Sequence, residues 1–146
     1  MPSQNVTFAG TAPSLDEPDL AEPEGASILV AVRSFLQGLG WEVGNFDVLH
    51  GVWGMVARRA NAELQLTVTG PLMEGAGDWF LQIAYDAPGV VSRMFGKNAS
   101  AAPADCFVLA QQVNECLCRH GFTNLRWRAN GPPTASESTP EPVAPA

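Results

Sequence analysis

Cys116, Cys118 and His120 follow one another at two-residue intervals near the end of a helix-patterned stretch, and thiolates with imidazole are the usual ligands of zinc. At about 100° per residue on a helix, Cys116 and Cys118 diverge by roughly 160° around the axis and do not hold one ion. Cys116 and His120 share a side, but a tetrahedral site needs two more ligands and His50 is the other histidine of the chain. The spacing therefore predicts small buried thiols and a histidine at a helix C-terminus, with no metal site and no cofactor. Cys106, in the first turn of the same stretch, is the best placed of the three thiols for nucleophilic chemistry, because a helix N-terminus lowers a thiol pKa. No local signature pairs it with a histidine, and no catalytic residue is assigned.

Asp47, Glu63, Glu74, Asp78 and Asp86 fall in or near turns. Paired carboxylates do acid/base work when burial separates their pKa values, and surface turns carry acids for solubility. Leu39-Gly40-Trp41-Glu42-Val43 followed by Asp47 and Glu63-x-Gln65 has part of a restriction-nuclease pattern, but Gln65 stands where such a site needs lysine, which excludes it. Gly38-x-Gly40 and Gly75-x-Gly77 do not open helices after strands, so neither cradles a nucleotide. One lysine, Lys97, and seven arginines form no basic stripe, which argues against nucleic acid. The pairs Arg58-Arg59 and Arg126/Arg128 read as solvated surface or ion-pair partners.

The elements that would position these groups follow from periodicity. Ser27 is a helix N-cap, and Ile28, Val32, Phe35, Leu36 and Leu39 form one apolar stripe, with Gly40 as the left-handed stop and Trp41 folding back. The period then changes to two, predicting strands near 42–48, 52–59, 63–69 and 78–85. In the third of these, Leu64, Leu66 and Val68 alternate with Glu63, Gln65, Thr67 and Thr69. The second and fourth are apolar on both faces: Val52 and Val56 oppose Trp53 and Met55, and Phe80 and Ala84 oppose Trp79, Leu81, Ile83 and Tyr85. A sheet covered on one side normally alternates apolar with polar, so something is expected over the second face. Residues 86–102 make a long connection. Pro103 then opens a helix with Cys106, Ala110, Val113 and Leu117 inward, Gly121 ends it, and a strand follows at 122–128.

Charge and proline gather at the ends of the chain. Residues 1–25 and 132–146 carry seven acids and no Lys or Arg, which accounts for the whole net charge of -7, while residues 26–131 hold eight acids, eight bases and three of the twelve prolines. These ends read as disordered tails around a single domain at 26–131. The longest apolar run, Ile28 to Val32, is five residues, which fits neither a membrane span nor a secretory signal. Three cysteines, an odd number in one short stretch, suit a reducing compartment. A cytoplasmic protein away from membranes is expected.

The fold class is α+β: a mostly antiparallel sheet of four or five strands with two helices on one face, in the order α-β-β-β-β-α-β. Small acidic proteins of this layout resemble, in architecture, the secretion-chaperone type of dimer that holds a partner chain, although those chaperones carry more than one strand after the second helix. The expected function is a non-catalytic protein-binding module of adaptor, chaperone or immunity type, working as a homodimer, with Trp53, Met55, Phe80, Met94 and Phe95 against the partner. The alternative is a small-molecule-binding protein or enzyme with a pocket between the sheet and the 86–102 connection, its polar end formed by Cys106, His50 or Asp86.

Overall fold

Val6 and Phe8 have no exposed surface, although they lie in the stretch whose composition reads as a solvated tail. In the computed structural model, which describes residues 3–11, 25–49, 52–59, 62–70, 78–85, 103–134 and 136–144, Ser3–Ala9 form strand β1. Helix α1 follows at Ala26–Gly38, then β2 at Glu42–Val43, β3 at Asp47–Leu49, β4 at Val52–Arg59, β5 at Ala62–Thr69 and β6 at Trp79–Ala84. Helix α2 spans Pro103–Arg119, and β7 spans Thr123–Ala129.

The α+β class and the antiparallel sheet are as expected, but the strand count and order differ. Among the described residues seven strands form one sheet in the order β2-β4-β5-β6-β1-β7, with β3 also on β4. Two causes produce the difference. The expected strand at 42–48 is interrupted where its register against β4 shifts by one residue, from Val43 opposite Ala57 to Asp47 opposite Gly54, so two short strands replace it. The larger change is β1, which enters between β6 and β7 and pairs antiparallel with both: Val6 lies across from Leu81 on one side and Trp127 on the other. Residues 12–24 of the expected tail lie outside the described residues, as does the 86–102 connection.

Both helices cover one face. α1 packs on β4 and β5, α2 on β1 and β6, and the two touch each other. The inward rows of the sheet, including Met55, Leu64, Leu66, Leu81, Ile83 and Trp127, meet Ile28, Val32 and Leu36 of α1 and Leu109, Val113 and Leu117 of α2 in one core. β5 alternates strictly, buried at Ala62, Leu64, Leu66 and Val68 and half-buried between them.

Each helix stops as its sequence requires. Gly40 has φ 96° and donates to the Gln37 carbonyl, and the Trp41 amide returns to the Leu36 carbonyl at 3.1 Å. This is the Schellman arrangement, which satisfies the last carbonyls and turns an apolar residue back onto the helix. Gly121 and Phe122 repeat it with Cys118 and Leu117. The start of α1 is different from the expected Ser27 cap: Gly25 holds the cap position at φ 99° with no side-chain bond. A Cβ there would meet Val68 Cγ1 at 2.8 Å, so close packing on β5 selects glycine.

Phe8 is fully buried and meets Phe122 edge-on at 5.0 Å between ring centroids. Phe8→Ala is therefore expected to lower the unfolding free energy by about 3–5 kcal/mol in urea titrations. A residue in a solvated tail would change it by less than about 0.5 kcal/mol.

Candidate functional site

Strand register decides which side chains share the face opposite the helices. Three rows cross it: Thr69–Phe80–Thr7–Arg126, Gly54–Thr67–Gln82–Asn5–Arg128, and Val56–Gln65–Ala84–Ser3. The middle row is polar and bonded. Gln82 Nε2 donates to Asn5 Oδ1 at 2.9 Å, and Asn5 Nδ2 donates to Ser3 Oγ at 3.0 Å and to the Arg128 carbonyl at 3.2 Å. Asn5 is fully buried with its amide satisfied, the condition under which a polar group is tolerated inside. The apolar groups of this face, Val52, Val56 and Phe80, are half-buried and stand outside the core.

The expected partner-binding residues do not form one surface. Met55 is 1% exposed in the core. Trp53 shares its inward row and is half-buried, packing edge-on against Phe46 at 6.5 Å, with the Arg33 guanidinium 4.2 Å above the Phe46 ring. Its indole N–H is buried and has no hydrogen-bond acceptor among the described residues. Phe80 lies on the opposite face, and Met94 and Phe95 lie outside the described residues. The inward direction of Trp53 and Met55 follows from their pairing with Val68 and Leu66, a register the sequence of β4 alone does not carry.

The two buried thiols, Cys106 and Cys116, are not poised for nucleophilic chemistry. Burial pushes Cys106 up to about 12 and Cys116 up to about 11, and the Gln4 backbone amide and the Arg119 charge offset only part of those rises. Cys118 is exposed while Cys116 is buried, in keeping with their divergence on the helix. His120 caps the end of α2, its Nδ1 lying 2.9 Å from the Cys116 carbonyl and 3.7 Å from Cys116 Sγ. Among the described residues no group of three or more His, Cys, Asp or Glu side chains is arranged to hold a metal ion.

The carboxylates serve structural contacts. Glu63 pairs with Arg58 at 2.9 Å, and Asp78 Oδ2 accepts the Gly10 amide at 2.9 Å. His50, Glu74 and Asp86 lie outside the described residues, so the pocket expected beside the 86–102 connection does too. A cleft of ≈ 200 Å³ is present elsewhere, between α2 and the segment after β7, lined by Phe107, Gln111, Asn114, Glu141 and Pro142.

That segment was expected to be a tail, and it is bound along the outer edge of β7 instead. The Trp127 amide donates to the Thr139 carbonyl at 2.7 Å, and the Thr139 amide donates back to the Trp127 carbonyl at 2.9 Å. Arg126 donates to Ser138 through Nε to Oγ at 2.9 Å and through Nη2 to the carbonyl at 2.7 Å. Arg128 pairs with Glu137 and donates to the Pro132 carbonyl. On the helix side, Gln4 Nε2 donates to the Val143 carbonyl at 2.6 Å while its Oε1 accepts the Val143 amide at 3.2 Å. The alternation of Arg126 and Arg128, followed by Glu137-Ser138, was the sequence signal for this contact.

No protein-family model matches the chain, and no curated protein or solved structure matches it. No helix among the described residues is long and apolar enough to cross a membrane.

A thiol reagent at neutral pH is expected to modify Cys118 promptly, and Cys106 and Cys116 only as the protein unfolds, which peptide mapping resolves. The two raised pKa values also set a pH dependence. Both buried thiols are protonated in folded and unfolded chains below about 9, the ordinary thiol value. As pH rises toward 11–12 the unfolded chain loses protons that the folded chain keeps, so stability falls across that window. Replacing Cys106 and Cys116 with alanine should flatten the decline seen in denaturant titrations at successive pH values.

Proposed function

We propose that the chain is a non-catalytic protein-binding module that docks the sheet face opposite its helices on a second copy of itself, as an adaptor, chaperone-like or immunity-type protein in a reducing cytoplasmic setting. The observation that carries this reading is the position of Phe80, Val52 and Val56. They lie outside the core, on the face opposite the one that α1 and α2 cover. The apolar area is limited, because the polar Gln82–Asn5 row runs through it. A self-complementary face of this mixed kind suits a dimer that forms reversibly, where apolar flanks supply affinity and the central row fixes register. The three unpaired cysteines agree with a reducing compartment.

Sedimentation equilibrium over a wide concentration range is the direct check, with a concentration-dependent dimer as the expected result. Phe80→Lys places a charge on an apolar flank of the docked face and should weaken dimerisation by at least about tenfold while far-UV circular dichroism stays unchanged. A strict monomer at every concentration removes the proposal, and so does a dimer indifferent to Phe80→Lys.

A further inference from the structure

Asn130-Gly131 is the one asparagine-glycine pair of the chain, and it stands where β7 ends and the segment that returns along its edge begins. Such a pair can react with itself, because glycine has no side chain to keep its backbone nitrogen away from the asparagine side-chain carbonyl. Asn130 is exposed, and among the described residues the Gly131 amide donates to no acceptor. The nucleophile is therefore unengaged.

Ser3 restrains the pair. The Asn130 amide donates to the Ser3 carbonyl at 2.9 Å, and the Ser3 amide donates to Asn130 Oδ1 at 3.0 Å. This clasp holds Asn130 in the left-handed region at φ 60°, which asparagine tolerates better than most residues. Ring closure needs the side chain and the following peptide to rotate toward each other, and the clasp opposes that rotation. Ser3 is the first residue of β1, and the end of a strand opens locally more readily than its middle.

We infer that Asn130 is a self-modification site whose reaction is gated by opening of the clasp with Ser3. The Gly131 nitrogen loses its proton and bonds to Asn130 Cγ, while the Cγ–Nδ2 bond breaks and that nitrogen leaves as ammonia with the proton. Water then adds to the cyclic imide. Opening the ring at Cγ yields aspartate, and opening it at the main-chain carbonyl carbon of residue 130 yields isoaspartate, in which the chain runs through Cβ and Cγ. No oxidant, reductant or cofactor takes part. Either product adds one negative charge. In isoaspartate the backbone is one carbon longer and the carboxylate sits one carbon closer to Cα than the lost side-chain amide, so the pair of bonds to Ser3 does not re-form. The modified chain loses the clasp between the end of β7 and the start of β1. This inference does not rest on the docking of the sheet face.

The test incubates the full chain in mildly alkaline buffer and maps it by mass spectrometry, with fragmentation that separates aspartate from isoaspartate. Both products are expected at Asn130, ahead of any at Asn5, Asn114 and Asn124. Unfolding the chain in urea removes the clasp and should speed the reaction at least about tenfold. Ser3→Pro removes the amide that bonds Oδ1, at a first strand position where proline is accepted, and should speed the reaction of the folded chain about fivefold, the scale of one hydrogen bond. Asn5 keeps its bond to the Arg128 carbonyl in that variant. Gly131→Ala, whose Cβ would make ordinary contact with Arg128 at 3.7 Å, should slow the reaction at least about tenfold by obstructing the attack. Hydrogen exchange at the Ser3 amide should be faster in the isoaspartyl chain than in Asn130→Asp, whose carboxylate still accepts that amide. The inference is overturned if the folded chain forms no product at Asn130, if Gly131→Ala reacts as fast as the unaltered chain, or if Ser3 exchange is the same in the isoaspartyl and Asn130→Asp chains. It is also overturned if urea or Ser3→Pro leaves the rate unchanged, and the urea comparison decides alone should Ser3→Pro not fold.

Discussion

β1 is paired along both of its edges, and this double pairing holds the two halves of the sheet together. On one side lie β6, β5 and β4, and on the other lies β7. The rear face of β1 carries Asn5, whose side chain has no access to water and takes its partners from both neighbours: Gln82 on β6 and the Arg128 carbonyl on β7. Its front face carries Val6 and Phe8 into the core beneath the helices. Without β1, β7 would have no sheet to join, and the contact of α2 with the sheet would be reduced to β6. A buried amide left unpaired costs about 1–3 kcal/mol, so the Asn5 bonds also favour one register of β1 over its alternatives.

Much of this architecture was legible in the chain, and the part that was not has a physical cause. Helix stripes, their Gly-aromatic stops and the alternation of β5 are local patterns, and each appears where spacing placed it, except that Leu39, expected at the end of the α1 stripe, is 44% exposed at the helix C-cap. β1 was hidden because Ser3, Gln4, Asn5 and Thr7 are polar residues that become buried only through partners far away in sequence. Neighbouring prolines and acids made the stretch look solvated, and composition averages over the seven residues that matter. The site was less legible than the fold. Trp53 and Met55 looked like surplus apolar surface, yet the register of β4 against β5 turns them inward. Phe80 faces away from the helices and is half-buried, leaving the apolar group on that face smaller than the sequence suggests.

The electrostatics of the molecule are also arranged by pairing rather than by overall charge. The chain is acidic, but Arg126 and Arg128 stand together on β7 and collect Ser138 and Glu137 from the segment that follows. That segment covers an edge whose free amides and carbonyls would otherwise be open to other strands, a hazard that natural sheets commonly guard against. Arg33 and Arg119 lie over the rings of Phe46 and Phe35, where their stems and charges cover aromatic surface at the rim of the core.

The interior placement of β1 has a consequence for how the chain acquires its shape. Gln82 and Asn5 are 77 residues apart, and Asn5 and Arg128 are 123 apart. As the polypeptide emerges from a ribosome, β1 is made long before either neighbour and waits unpaired until β6 and then β7 are available. Contacts this distant in sequence slow folding, because loop closure must precede the reward of pairing. Until β7 arrives, β1 is itself the edge of a half-built sheet, so the nascent chain passes through an aggregation-exposed stage absent from the finished molecule.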